Sequence, residues 1–182
     1  MTGGRGVPLS AAGCVMIKEL LLISILAACV LIGLGISNYY RKRKIFYADT
    51  LQFCEELLNE VNFMQTKLIN MAAKSAGKYK SALDDILAGY QKYLNNQVSF
   101  EEFKIGGTKF TNFLSDDERD QLFEFLKSVG GLDVENESNN IRNYIIAFKR
   151  RVEDSIGEHK KYYGLYIKMS IIVGLALVVL LV

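Results

Sequence analysis

The side chains in this sequence that could do chemistry are few and poorly spaced for it. His159 is the single histidine. It stands just before Tyr163, and no Ser or Cys is spaced to pair with it on one helix. A general base needs an orienting carboxylate and a pocket; the sequence offers neither, so a solvated or interfacial imidazole is expected. Gly106, Gly107, Thr108 and Lys109 form a GGTK run, but it lacks the GxxxxGK[ST] spacing and follows no strand, which argues against a phosphate loop. Asp84 with Asp85, and the run Asp116, Asp117, Glu118, could offer oxygen ligands to a divalent cation. Neither matches a calcium-binding loop, and first-turn carboxylates complement a helix dipole in any case. Cys14, Cys29 and Cys54 are widely separated, with no CxxC and no His beside them. They read as small apolar packing residues in a reducing compartment, not as a disulfide framework or a metal site. No catalytic, cofactor-binding or metal-ligating residue is expected, and the chain does not read as an enzyme.

The elements that position these residues begin with an apolar, charge-free segment at each end. Leu20–Ser37 (LLLISILAACVLIGLGIS) has about the length that crosses a hydrocarbon core of about 30 Å. Met169–Val182 (MSIIVGLALVVLLV) spans once Tyr162 to Lys168 is added, because Tyr162, Tyr163 and Tyr166 suit the headgroup layer and Lys168 can snorkel. Arg41, Lys42, Arg43 and Lys44 follow the first span directly, whereas Arg5 and Lys18 precede it with Glu19 alongside. The positive-inside bias then puts the intervening domain in the cytoplasm and both termini outside. Lys160, Lys161 and Lys168 give the same orientation, and a basic run touching a span also suits anionic lipid. Ser24 with Ala28, Cys29 with Gly33, and Ser170 with Gly174 are small-residue pairs that let helices approach in lipid. Packing of the two spans on each other, or self-association of the chain, is compatible with them.

The expected organisation is therefore 1–15 as a disordered extension, 16–37 as a membrane helix, 38–161 as a helical domain and 162–182 as a second membrane helix. The extension MTGGRGVPLSAAGCV holds the only proline, Pro8, and four of the glycines, with no apolar period to order it. Translation from Met16 would remove it, since MIKELLLIS reads as an ordinary membrane-protein start. A lipoprotein signal ending at Cys14 is disfavoured because no apolar stretch of useful length precedes that residue.

Between Asn38 and Gly164 stand 19 Lys plus Arg and 19 Asp plus Glu. A domain without net charge, with its basic residues gathered at the membrane ends, is a poor nucleic-acid binder. Its apolar residues recur with a helical period. One helix is expected from Ile45 to about Met71, with Phe46, Leu51, Phe53, Cys54, Leu57, Leu58, Val61, Met64 and Leu68 on its stripe, continuing the first span. Ala76 and Gly77 interrupt, and Leu83, Ile86, Leu87, Tyr90 and Leu94 share the next face. Ser99 with Glu102, and Ser115 with Glu118, space as capping boxes. The first opens a helix carrying Phe100 and Phe103 and broken by Gly106 and Gly107. The second opens one that buries Leu122, Phe125, Leu126 and Val129 and stops at Gly130 and Gly131. Asp133 starts the last helix, whose inward face reads Ile141, Ile145, Phe148, Val152, Ile156. No strand alternation occurs, so the fold is all-α: a helical bundle flanked by membrane helices. Asp116, Asp117 and Glu118 are expected to be exposed, and no carboxylate is expected on an apolar helix face, which disfavours a membrane enzyme built on Asp or Glu.

From Met16 to Val182 the chain resembles the stage III sporulation protein AB family. The resemblance rests on the short first span, the segment Phe110–Glu118, the GLD turn Gly131–Asp133, and above all the ending KKYYGLYIKMSIIVGLALVVLL; Glu137 stands where the family often has glutamine. It implies a mother-cell membrane protein of the secretion-like channel facing the forespore, required for endospore formation. It also implies a soluble domain similar to the cytoplasmic domains of type II secretion and type IV pilus platform proteins. Such platforms have no active site. The implied partners are a cytoplasmic sporulation ATPase, other channel membrane proteins and the bilayer. A generic membrane-anchored scaffold, or a secretion platform outside sporulation, would share the architecture.

Overall fold

The computed structural model describes residues 9–63, 68–75, 77–129 and 134–181. Among these the chain is helical throughout, with no strand: α1 (Leu9–Phe63), α2 (Leu68–Ser75), α3 (Leu83–Leu94), α4 (Phe100–Thr108), α5 (Asp116–Ser128) and α6 (Val134–Leu181). α1 begins at Leu9, inside the stretch expected to be irregular, and residues 1–8 lie outside the described ones. The expected helix from Ile45 is the later part of α1 and ends at Phe63; residues 64–67 are outside the described set, as are Gly130, Gly131 and Asp133. The chain divides into two units, one formed by residues 1–38 and 161–182, the other by Tyr39–Lys160.

In the first unit the apolar parts of α1 and α6 pack side by side. Ser37 donates from its hydroxyl to the carbonyl of Tyr163 at 2.9 Å. Deeper in, Gly33 is buried against Ser170. A Cβ at Gly33 would lie 2.2 Å from the Ser170 hydroxyl, and one at Gly174 would lie 2.9 Å from Leu26 Cδ1 and 3.3 Å from Cys29 Cβ. Positions fall along α1 as they rise along α6, so the two segments run antiparallel. Missing side chains at Gly33 and Gly174 are what let them approach, as small residues do in lipid. Ser24 and Ala28 are exposed and take no part. Both helices are long and apolar enough to cross a membrane, and only 11% and 6% of their most apolar windows are buried in protein. A core helix of a soluble domain would be mostly buried.

The second unit has its own core. Phe46, Phe53, Cys54 and Leu57 from α1 meet Leu83, Ile86, Leu87 and Tyr90 from α3, Leu122, Phe123, Phe125 and Leu126 from α5, and Ile141, Ile145 and Phe148 from α6. Rings lock the elements together edge to face: Phe103 on Phe123 at 5.3 Å, Phe46 on Phe113 at 5.4 Å, Phe125 on Phe148 at 5.7 Å. Each such pair adds about 0.5–1.5 kcal/mol beyond the area it buries. Both expected capping boxes form: the Ser99 and Ser115 hydroxyls accept from the N–H of Glu102 and Glu118, and the serine backbone N–H groups donate to those carboxylates in return.

Two expectations about local structure change. Gly106 and Gly107 do not break α4, which runs through them to Thr108. Gly107 is bare for packing: a Cβ there would sit 2.6 Å from the Phe123 ring. Ile156 does not join the inward face of α6. It is 45% exposed, and Ser155, 1% exposed, takes the inward place after Val152. At about 100° per residue, a second step of four after Val152 carries Ile156 about 60° past Ile141, whereas a step of three brings Ser155 back to within about 40° of it.

Candidate functional site

The most constrained polar group of the helical unit is Glu118. It is the third residue of α5, placed there by the Ser115 cap: its Oε2 accepts from the Ser115 N–H at 2.9 Å, while its own N–H donates to the Ser115 hydroxyl. The other oxygen, Oε1, accepts from Arg43 Nη2 and from Arg151 Nη1, the latter at 3.3 Å. Arg43 donates in addition to Glu158. One carboxylate thereby ties α1, α5 and α6 together. Glu118 was expected at the surface and is buried, 5% exposed; its charge is offset by two guanidiniums and cannot serve as a free docking charge. Asp116 and Asp117 are exposed as expected, and Asp116 pairs with Arg119.

The electrostatics follow from that arrangement. Burial by itself would raise the Glu118 pKa, but the Ser115 N–H and the Arg43 guanidinium outweigh it and hold the carboxyl below its usual 4.5. Burial, then the negative charge of Glu118, pushes the Tyr47 hydroxyl well up. Glu137 is a second carboxylate on an inward face, 4% exposed. A reading without inward carboxylates is therefore corrected, although the partners of Glu118 are those of a structural ion pair.

The remaining candidates fall in separate places. His159 is half-buried on α6, and desolvation, then the charges of Lys44 and Arg41, lowers its pKa. Gly106, Gly107 and Thr108 belong to α4 and so form no loop. Asp84 accepts from the N–H of Gly77 at 2.6 Å and of Tyr79 at 3.4 Å. It thus holds the turn in which Gly77 has a left-handed φ of 83°, a conformation that suits glycine. Among the described residues no group of three His, Cys, Asp or Glu could hold a metal ion. Cys54 is buried and its thiol pKa is pushed up by desolvation, as for a packing residue.

Two adjoining surface grooves complete the helical unit. One, about 420 Å³, has Lys42, Lys80 and Lys109 around it with Asp85 and Phe110. The other, about 390 Å³, shares Asp85 and Phe110 and has Gly106 and Phe103 in its lining. Nothing in the sequence pointed to them, because their walls come from α1, α3, α4 and the turns between.

Compared with known families, residues 18–182 match the family model described as Stage III sporulation protein AB. No curated protein and no solved structure matches the chain significantly.

Proposed function

The chain belongs to the stage III sporulation protein AB family, and from that premise we propose that it is a membrane platform of a secretion-like channel, docking a cytoplasmic ATPase and doing no chemistry of its own. The family supports a role in stage III of sporulation. The single observation that carries the finer reading is the extent of the match, 18–182, which takes in both apolar helices and the helical domain between them. A platform needs membrane anchors joined to a rigid domain that offers protein contacts. The antiparallel packing of the spans at Gly33 with Ser170 returns the chain to the face it left. The basic flanks Arg41 to Lys44 favour the cytoplasm as that face, in the mother-cell membrane turned to the forespore.

Deletion of the gene tests this reading. Development is expected to stop after engulfment begins, and the His159→Ala protein is expected to restore sporulation because no catalysis depends on the imidazole. Normal spores from the deletion strain would overturn the functional assignment.

A further inference from the structure

We propose that the two grooves around Phe110 form one docking site for an acidic segment of a partner protein, its apolar side chains entering beside Phe110 and its carboxylates meeting Lys42, Lys80 and Lys109. This names the contact within the platform function and rests on that reading.

The larger groove carries three lysines against one aspartate, a local excess of two positive charges, in a domain without net charge. The smaller groove adds Lys92 and Glu102 and so leaves that excess unchanged, whereas Lys74, Lys78, Lys104 and Lys149 elsewhere in this unit each sit against a carboxylate. Among the described residues no ion pair engages Lys42, Lys80 or Lys109. Cations left without internal partners around a concave surface attract a complementary anionic one and set its orientation.

Phe110 stands 45% exposed where the grooves meet, and Ile105 on the adjoining turn of α4 is 62% exposed. An exposed ring at a cavity, with charged groups around the margin, is the arrangement of an aromatic interface core and its polar rim. Gly106 sits beside Ile105 on α4. A helix-interior glycine costs about 1 kcal/mol relative to alanine. Its neighbour Gly107 meets that cost by admitting the Phe123 ring, whereas a Cβ at Gly106 would meet nothing within 4 Å. Gly106 lines the smaller groove and keeps it deep enough for another chain to approach closely. A phospholipid headgroup would satisfy the lysines but leave Phe110 and the smaller groove unfilled, so a protein segment fits better.

The test uses the full-length protein in sporulating cells with p-benzoylphenylalanine in place of Phe110. Irradiation is expected to join it to a segment, in a different protein, that combines Asp or Glu with apolar residues. Gly106→Leu, which fills open space, and the pair Lys80→Glu with Lys109→Glu are each expected to cut the yield about tenfold. Lys80→Arg with Lys109→Arg keeps it. The same probe at Ile146 on α6 gives no such product. Crosslinks to lipid alone, to a second copy of this chain or to a basic segment, no product at all, or a yield unmoved by either the groove-filling or the charge-reversing change, would overturn the proposal. If the ATPase still reaches the membrane through this protein while Phe110 captures no acidic segment, the platform function stands and this site falls. If Phe110 captures an acidic segment of a protein other than the ATPase and the ATPase no longer needs this protein to reach the membrane, the site stands and the ATPase assignment falls.

Discussion

Arg43, third in the basic run after the first apolar segment, donates to the buried carboxylate of Glu118, 75 positions away in sequence. A residue that reads as a topology signal is thus also part of the domain's interior, where it offsets a charge that the α5 cap has placed there. Removing one partner of a buried pair leaves the other uncompensated, at a cost of about 3–5 kcal/mol. Glu118→Ala is expected to lower the unfolding free energy read from denaturant melts by an amount toward the lower end of that range, because Arg43 keeps Glu158, while Asp117→Ala, at an exposed position, changes it little. Equal effects would contradict the assignment of Glu118 to the core.

The same pair predicts a pH dependence. The folded Glu118 carboxyl titrates below its usual 4.5, so the folded state binds its proton less readily than the unfolded chain does. The stability it contributes is present above the unfolded value and is lost as pH falls through the folded one. Denaturant midpoints measured from neutral to acid pH are expected to fall in that window, and more gently in Glu118→Gln. An identical acid limb in both proteins would show that another group governs it.

Two adjacent glycines are expected to respond with opposite signs. Gly106→Ala has open space and an ordinary helical position, so it gains up to about 1 kcal/mol of stability. Gly107→Ala drives a methyl into the Phe123 ring and destabilises by about 1–3 kcal/mol. Phe125→Ala, at a side chain with no exposure, costs about 3–5 kcal/mol. Thermal melts followed by circular dichroism read all three, and a helical spectrum from residues 39–160 alone would show that this unit folds by itself.

Orientation is expected from the charge flanks. An engineered cysteine replacing exposed Lys92 is expected to stay unlabelled by a membrane-impermeant reagent applied to intact cells, and one added after Val182 is expected to react. Labelling at Lys92 would reverse the topology.

Much of the fold was legible because it depends on local signals. Apolar period found the helices, and the spacing of Ser99 with Glu102 and Ser115 with Glu118 located two helix starts. What was not legible depends on partners distant in sequence. Glu118 looked exposed because its cap explained it fully, and only the approach of α1 and α6 reveals the guanidiniums it serves. Gly107 looked like a helix stop because nothing in the sequence announces the Phe123 ring against it. Ile156 was misplaced because the stripe was carried from Val152 by a step of four to an apolar residue, where the helix turn brings the polar Ser155 inward by a step of three. The grooves around Phe110 share that origin, since their lysines come from three separate segments.

The platform function is tested most directly by recruitment. Vesicles carrying the full-length protein, with the domain on the outer face, are mixed with the purified cytoplasmic sporulation ATPase and sedimented. The ATPase is expected to sediment with these vesicles and to stay in solution with vesicles of the same lipids lacking the protein. Equal sedimentation with both, or none with either, would contradict the account.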